Sequence, residues 1–386
     1  MGILPMIYFD NAATSYPKAP DVASALASAI LNIPGNAGRS SFKHSLKTSE
    51  IIFDCRERIA RMFNIEDSEN VIFTSGATEA LNLLIHGLAE PGGRVLTSPM
   101  EHNSVLRPLE ELRKRQGLRT DFVKCDKNGL PDLEDWKEKL RLKPEFAVVT
   151  AASNVTGSVF PFYEMAKTAH QENIPFILDT AQAAGTVEID CGDEGISAAC
   201  FAGHKGLLGP GGIGFCYISE KINPRTLKQG GTGSRSDEPL QPEFRPDKYE
   251  AGTQNITCIA GLNAALKFIE ETGIVKIKKR KKELFLYFTD SIKKIKSLTV
   301  HADANIENTG IISVSSDKLT SSELTEILNK YDIAVRTGLH CAPEAHKAIG
   351  TFEAGGAVRF SLGYFNTEKE IDYAINLLED IHKEEK

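Results

Sequence analysis

Val71-Ile-Phe-Thr-Ser-Gly-Ala-Thr-Glu79 is the stretch from which the fold class can be read. Three apolar residues and a threonine make a short buried strand, Gly76 makes the turn, and Glu79 to Leu88 makes the helix that follows. The same order recurs outward from it. Arg94–Thr97, Thr120–Lys124, Phe146–Thr150, Phe176–Leu178 and Ile213–Tyr217 are further strand candidates, with helical segments between most of them. Upstream, Ile52, Cys55, Ile59 and Phe63 recur at three- and four-residue steps, which predicts an amphipathic helix over residues 45–64. Alternation of this kind builds an α/β fold around a mostly parallel sheet covered on both faces.

After Gly252 the pattern changes. Ile259 to Ile295 reads as one long helical stretch carrying the basic run Lys276 to Lys282. Leu284, Tyr287, Phe288, Ile292 and Ile295 mark its buried side, so the charges read as its solvated face. Residues 297–386 mix short strands, Gly310–Val314 and Ala357–Ser361, with two helices. Each helix opens on a capping box, Thr320 with Glu323 and Thr367 with Glu370. The expected division is a large domain over 15–255 and a smaller C-terminal α+β domain over 256–386, joined by the N-terminal segment 1–14.

Composition excludes several function classes. The 386 residues are 41% hydrophobic and 25% charged, an ordinary globular balance. A net charge of −7, with no nucleic-acid-binding motif beside the basic run, argues against a nucleic-acid or membrane partner. No apolar run approaches the roughly 20 residues that span a bilayer. The first residues lack the flank and core of a secretory signal, and Met6 stands where an acylation motif wants Ser or Thr. Seven cysteines without paired spacing read as reduced thiols, so the cytoplasm is the expected compartment.

Chemistry enters with the run Cys200-Phe-Ala-Gly-His-Lys-Gly-Leu-Leu-Gly-Pro-Gly-Gly-Ile-Gly214, which pins the amine of Lys205 between a histidine and a glycine-rich stretch. Earlier, Asp179 ends the apolar run from Ile174, where a parallel strand presents ligand-binding residues. An amine able to form a Schiff base and a carboxylate able to hold a pyridinium nitrogen are the minimal protein equipment for pyridoxal phosphate chemistry. Taken alone, Asp179 also reads as the cap of the next turn. Gln182, one helical step on, is placed to face the same cofactor. The turn Thr74–Thr78 offers the amides of a helix start to a phosphate, with Ala77 and Thr78 as candidate contacts. The plainer reading is a tight turn capped by Ser or Thr. Neither a nucleoside-triphosphate loop nor the dinucleotide fingerprint is present.

His102 has two readings, a ring that stacks on the cofactor and shuttles protons near neutral pH, or a surface-loop histidine. Cys341 sits in Arg336-Thr-Gly-Leu-His-Cys-Ala-Pro343, a strand, a turn and a loop. Arg336 and His340 make its surroundings electropositive, which favours a thiolate; a structural cysteine is the other reading. The remaining cysteines read as apolar fillers. His340 and His346 lack a third ligand at metal spacing, so no metal is expected. Arg359 offers a planar fork to a substrate carboxylate, or else a surface ion pair.

Together these stretches resemble the class V aminotransferase family, and within it the cysteine desulfurases and selenocysteine lyases. The resemblance rests on Tyr8 to Thr14, Ser75 to Glu79, Glu101 to Asn103, Ser153 to Gly157, Asp179 to Gln182, Gly203 to Lys205, Glu250 to Asn255 and Arg336 to Ala342, in the family's order. It implies a pyridoxal 5'-phosphate enzyme of fold type I, working as a homodimer. Lys205 would carry the cofactor, Asp179 would pair with its ring nitrogen, Gln182 would face the ring hydroxyl, and His102 would stack on the ring. Thr78 and His204 would bind phosphate, with Thr253 reaching over from the partner subunit. Asn154 and Arg359 would meet the substrate carboxylate. Lys205 would remove the Cα proton of L-cysteine, and Cys341 would take the sulfur as a persulfide, releasing L-alanine. The short cysteine loop is similar to that of the family's second group, which passes sulfur to a separate acceptor protein and serves processes such as iron–sulfur cluster assembly. Selenocysteine cleavage, or another transaminase or β-lyase reaction of the family, is the alternative. Two positions depart from the family pattern: Ala202 replaces a common serine and Leu339 a common histidine.

Overall fold

A computed structural model describes residues 6–33 and 43–383. Seven strands form the main sheet, in the order Val71–Thr74, Gly214–Ile218, Ala198–Ala202, Phe176–Asp179, Phe146–Thr150, Arg94–Thr97 and Arg119–Phe122. Only Gly214–Ile218 runs against its neighbours, because the segment after Ala202 is too short for a helical crossover and turns straight back. The other pairings along the sheet are parallel. The expected mostly parallel α/β fold is therefore present. Its consequence for function is directional. Thr74, Thr97, Thr150, Asp179 and Ala202 end strands that point the same way, so the loops after them share one edge.

The strand Ala198–Ala202 is absent from the sequence reading, because Ala-Ala-Cys-Phe-Ala carries little β-branched signal. The long helix expected over Ile259–Ile295 is two helices, Ile256–Thr272 and Ile274–Ile292. Gly273, at φ 83°, breaks it, and its amide closes the first helix on the Ile269 carbonyl. One lysine of the basic run also leaves the solvated face. Lys281 turns inward and its Nζ donates to Thr186 Oγ1 at 2.9 Å.

The C-terminal lobe holds an antiparallel sheet in the order Arg336–Gly338, Ala357–Ser361, Ile311–Ser316 and Leu298–Val300. Both expected capping boxes close, on Glu323 and on Glu370. Its core gathers Leu284, Phe288, Ile312, Phe360 and Ile371. Ile259, Leu262 and Leu266 instead join the core beneath the main sheet, so packing carries the helix Ile256–Thr272 with the large lobe, across the boundary expected after residue 255. The segment from Ile7 to Lys18 staples the lobes together. Phe9 enters the small core, Ala12 O accepts from Gln182, and Lys18, Thr14 and Ser15 all donate to the His204 carbonyl.

Candidate active site

The loops at the carboxyl edge enclose a cavity of about 190 Å³ lined by Gly76, Ala77, Thr78, His102, Asn154, Asp179, Gln182, Ala202, His204 and Lys205. The structure thus brings together all the expected cofactor residues except Thr253, which is exposed on a loop outside this lining.

Lys205 follows the strand Ala198–Ala202 by three residues, and its carbonyl accepts from the Leu208 amide, closing a tight turn. The turn lies flush against the segment after Asp179. A Cβ on Gly185 would come within 2.1 Å of Gly206 O, and one on Gly206 within 2.2 Å of Ala184 O. Burial pulls the Lys205 ammonium down to about 8, while the anionic Asp179 pulls the other way. Such an amine is far better supplied with its nucleophilic neutral form than a solvated lysine.

Asp179 is buried, and one oxygen accepts from the Ala181 amide at 2.9 Å. Burial raises its pKa, and the Lys205 charge opposes that rise. Among the described residues it makes no ion pair, so the carboxylate faces the cavity ready for a cationic partner. The helix Ala77–Leu88 begins with no side-chain cap, which leaves its start facing the same space. Gly76 itself needs no special room, since a Cβ there would meet nothing within 4 Å; Gly214 is the crowded partner, its Cβ falling 2.6 Å from Gly76 Cα. A buried carboxylate, a reactive amine and an uncapped helix start around one cavity fit the ring nitrogen, aldehyde and phosphate of pyridoxal phosphate.

His102 caps the helix Asn103–Gln116, its Nδ1 accepting from the Ser104 amide at 3.1 Å. Burial, then the charges of Lys205, Arg336 and Arg359, lower its pKa to about 4. The ring is neutral at pH 7, with its proton on Nε2. A neutral ring of this kind suits stacking. His204 is likewise held at about 4, mainly by burial, and its Nδ1 lies 3.1 Å from Thr14 Oγ1.

Cys341 is partly exposed and does not itself line the cavity, but the loop that carries it is bonded to residues at and beside that lining. Its carbonyl accepts from the Asn103 amide at 2.7 Å, and the carbonyl of His340 accepts from Asn154 Nδ2 at 2.7 Å. Arg336 Nη2 lies 3.7 Å from Sγ. Arg359 is fully buried and already engaged. It donates to Asn154 O at 3.0 Å and to Asp10 Oδ1 at 2.9 Å, and its Nε has no partner. The reading of Arg359 as a surface ion pair is thereby overturned, for its pair with Asp10 lies between the lobes. The other cysteines are free; Cys55, Cys191, Cys200 and Cys216 are buried, and Cys125 and Cys258 partly so. No metal-binding cluster occurs among the described residues.

Sequence reasoning missed two supporting carboxylates. Glu101 is buried beside the cavity floor, bonded to Ser98 Oγ at 2.6 Å and the Thr150 amide at 3.0 Å, and burial pushes its pKa up to about 8. Glu250 accepts from both terminal nitrogens of Arg56, from the Phe73 amide and from Gln254, tying the strand before Gly76 to the loop that carries Thr253. Both stand within motifs read from the sequence, but their burial is a tertiary property.

A family model described as aminotransferase class-V matches residues 7–374. A probable cysteine desulfurase of Pyrococcus abyssi is 31% identical, covering 98% of this chain and 94% of its own length. The apo structure of a cysteine desulfurase from Thermococcus onnurineus superposes with a TM-score of 0.89 at 29% identity, over 98% of this chain and 95% of that one. The cysteine desulfurase CsdA from Escherichia coli gives a TM-score of 0.88 at 25% identity, over 98% and 95%. No described helix is long and apolar enough to cross a membrane.

Proposed function

The chain belongs to the class V aminotransferase family, and from that premise we propose that it is a cysteine desulfurase, converting L-cysteine to L-alanine and an enzyme persulfide. The observation that carries this reading is the placement of Cys341. Its carbonyl hangs on the first amide of the helix that His102 caps, and the carbonyl before it is held by Asn154, which lines the cavity.

The enzyme depends on pyridoxal phosphate. Lys205 would hold it through its amine, Asp179 would face the ring nitrogen, and Gln182 the ring hydroxyl. His102 would cover the ring, while Ala77, Thr78 and His204 would meet the phosphate. When bound, the cofactor supplies an electron-withdrawing ring that stabilises negative charge at the substrate α-carbon.

The chain's own groups do the rest. Lys205 Nζ takes and returns the α-proton; its depressed pKa keeps a substantial neutral fraction available at mildly alkaline pH. Arg359 and Asn154 orient the substrate carboxylate, which requires the guanidinium to share itself between that carboxylate and Asp10; the unpartnered Nε is the donor in reserve. Cys341 Sγ forms a bond to the substrate sulfur as the substrate Cβ–S bond breaks. The net change is L-cysteine plus the Cys341 thiol giving L-alanine plus the Cys341 persulfide, so atoms and electrons balance.

The same reading extends to a homodimer, in which Thr253 reaches the partner's cavity; its exposure outside this chain's own lining supports that role. A partly exposed cysteine on this loop supports transfer of sulfur to a separate acceptor protein and a place in iron–sulfur cluster assembly. Seven unpaired cysteines support a cytoplasmic setting. The test is a product assay with L-cysteine and L-selenocysteine side by side. Native protein should release alanine from L-cysteine and Cys341→Ala should lose at least about a hundredfold in rate. Alanine formation from L-cysteine that survives Cys341→Ala unchanged would sink the desulfurase route, and selenocysteine as the only substrate would move the reading to a lyase.

A further inference from the structure

Behind Cys341 runs a buried polar chain that the reaction does not use. Thr351 Oγ1 lies 2.7 Å from His346 Nδ1, His346 Nε2 lies 3.0 Å from His340 Nδ1, and His340 Nε2 lies 3.3 Å from Arg336 O. His346 is 0% exposed and His340 4%. The end of the chain fixes every proton in it. A carbonyl can only accept, so His340 Nε2 carries hydrogen and its Nδ1 accepts. His346 therefore donates from Nε2 and accepts at Nδ1 from the Thr351 hydroxyl. Both rings are neutral, as burial requires of them.

What the chain holds is an unfavourable backbone. His340 and Cys341 both sit in the left-handed region, at φ 51° and 58°, where residues with a Cβ are disfavoured. Their carbonyls are caught by Asn154 and the Asn103 amide on one side. The imidazole of His340 secures the other side, bridging back to the residue whose guanidinium touches Cys341 Sγ. His346 lies on the short helix Pro343–Ala348 that follows the loop, and its carbonyl accepts the amides of Thr351 and Phe352.

We propose that Thr351, His346 and His340 act as positioning residues that lock the loop 336–341 and so aim the Cys341 thiol into the cavity. This rests on Cys341 as the sulfur-accepting residue, yet it can be measured without any substrate. The experiment follows iodoacetamide alkylation of Cys341 by peptide-resolved mass spectrometry, together with kcat and KM for alanine formation. In His346→Leu, Cys341 should alkylate about tenfold faster while kcat falls about tenfold and KM stays within about twofold. His346→Gln keeps an N–H near the Nε2 position and should bring both quantities back to within about threefold of native. Thr351→Val, which removes only the terminal donor, should shift both in the same direction by about threefold, and it serves if His346→Leu does not fold. A folded His346→Leu whose alkylation is unchanged or slower overturns the proposal, as does a Gln variant as impaired as the Leu one. If alkylation responds but no protein, native included, forms alanine, the lock stands and the desulfurase reading falls.

Discussion

Acylation of Lys205 in the cofactor-free protein should titrate with a midpoint near pH 8. Burial moves this amine from its ordinary 10.5 to about 8, with Asp179 resisting the shift. At pH 8 about half of the Lys205 amines are then neutral, against about 0.3% for a solvated lysine, a gain of roughly 150-fold in reactive fraction. The assay is a short pulse of acetic anhydride across a pH series, read peptide by peptide in a mass spectrometer. Lys18 and Lys281, which burial also lowers to about 8, supply internal comparisons on the same digest. Asp179→Asn sharpens the experiment. Its carboxylate stabilises the ammonium, so removing the charge should carry the Lys205 midpoint further down while leaving Lys281 in place. A native midpoint at or above pH 10 would refute the reasoning, and so would an upward movement in Asp179→Asn.

Other perturbations follow from the same contacts. Gly185→Ala drives a Cβ to within 2.1 Å of Gly206 O at a φ of 82°, so it should cost about 3 kcal/mol or more and impair covalent capture of cofactor at Lys205. Urea unfolding and borohydride fixation would report the two effects, and an unchanged midpoint would contradict the close contact. Glu250→Leu strands the buried Arg56 guanidinium and should destabilise by about 3 kcal/mol in urea unfolding; a loss under about 1 kcal/mol would show that guanidinium to be satisfied elsewhere. Asp10→Asn removes the only ion-pair partner of Arg359 among the described residues and should cost about 3 kcal/mol; stability within about 0.5 kcal/mol of native would show the guanidinium to be otherwise satisfied. Gly273→Ala should cost about 1 kcal/mol by chemical denaturation, since the break between the two helices needs a positive φ.

The sheet was legible wherever apolar runs carry branched residues. Val71–Thr74, Arg94–Thr97 and Phe146–Thr150 form over the expected spans, and Phe176–Leu178 extends only to take in Asp179. Ala198–Ala202 lacks that signal and becomes a strand only because its neighbours bury it. A single glycine inside an apolar and basic pattern reads as tolerable in a helix, which is why the break at Gly273 is visible only in space. The site residues that follow strands were legible for the same reason, since strand ends share an edge. What the sequence could not reveal is long-range pairing. Asp10 meets Arg359 across 349 residues, and Asn154 meets His340 and Lys18 meets His204 across 186 each, and no local pattern encodes such meetings. His346 stood out only as half of an unlikely metal pair, because the hydroxyl that completes its chain carries no signature of its own.

The bond from the Asn103 amide to the Cys341 carbonyl makes two distant stretches of chain a single mechanical part. The loop at Cys341 is thereby fastened to the first turn of the helix that His102 caps, and His102 itself lines the cavity, so loop and cavity wall share one support.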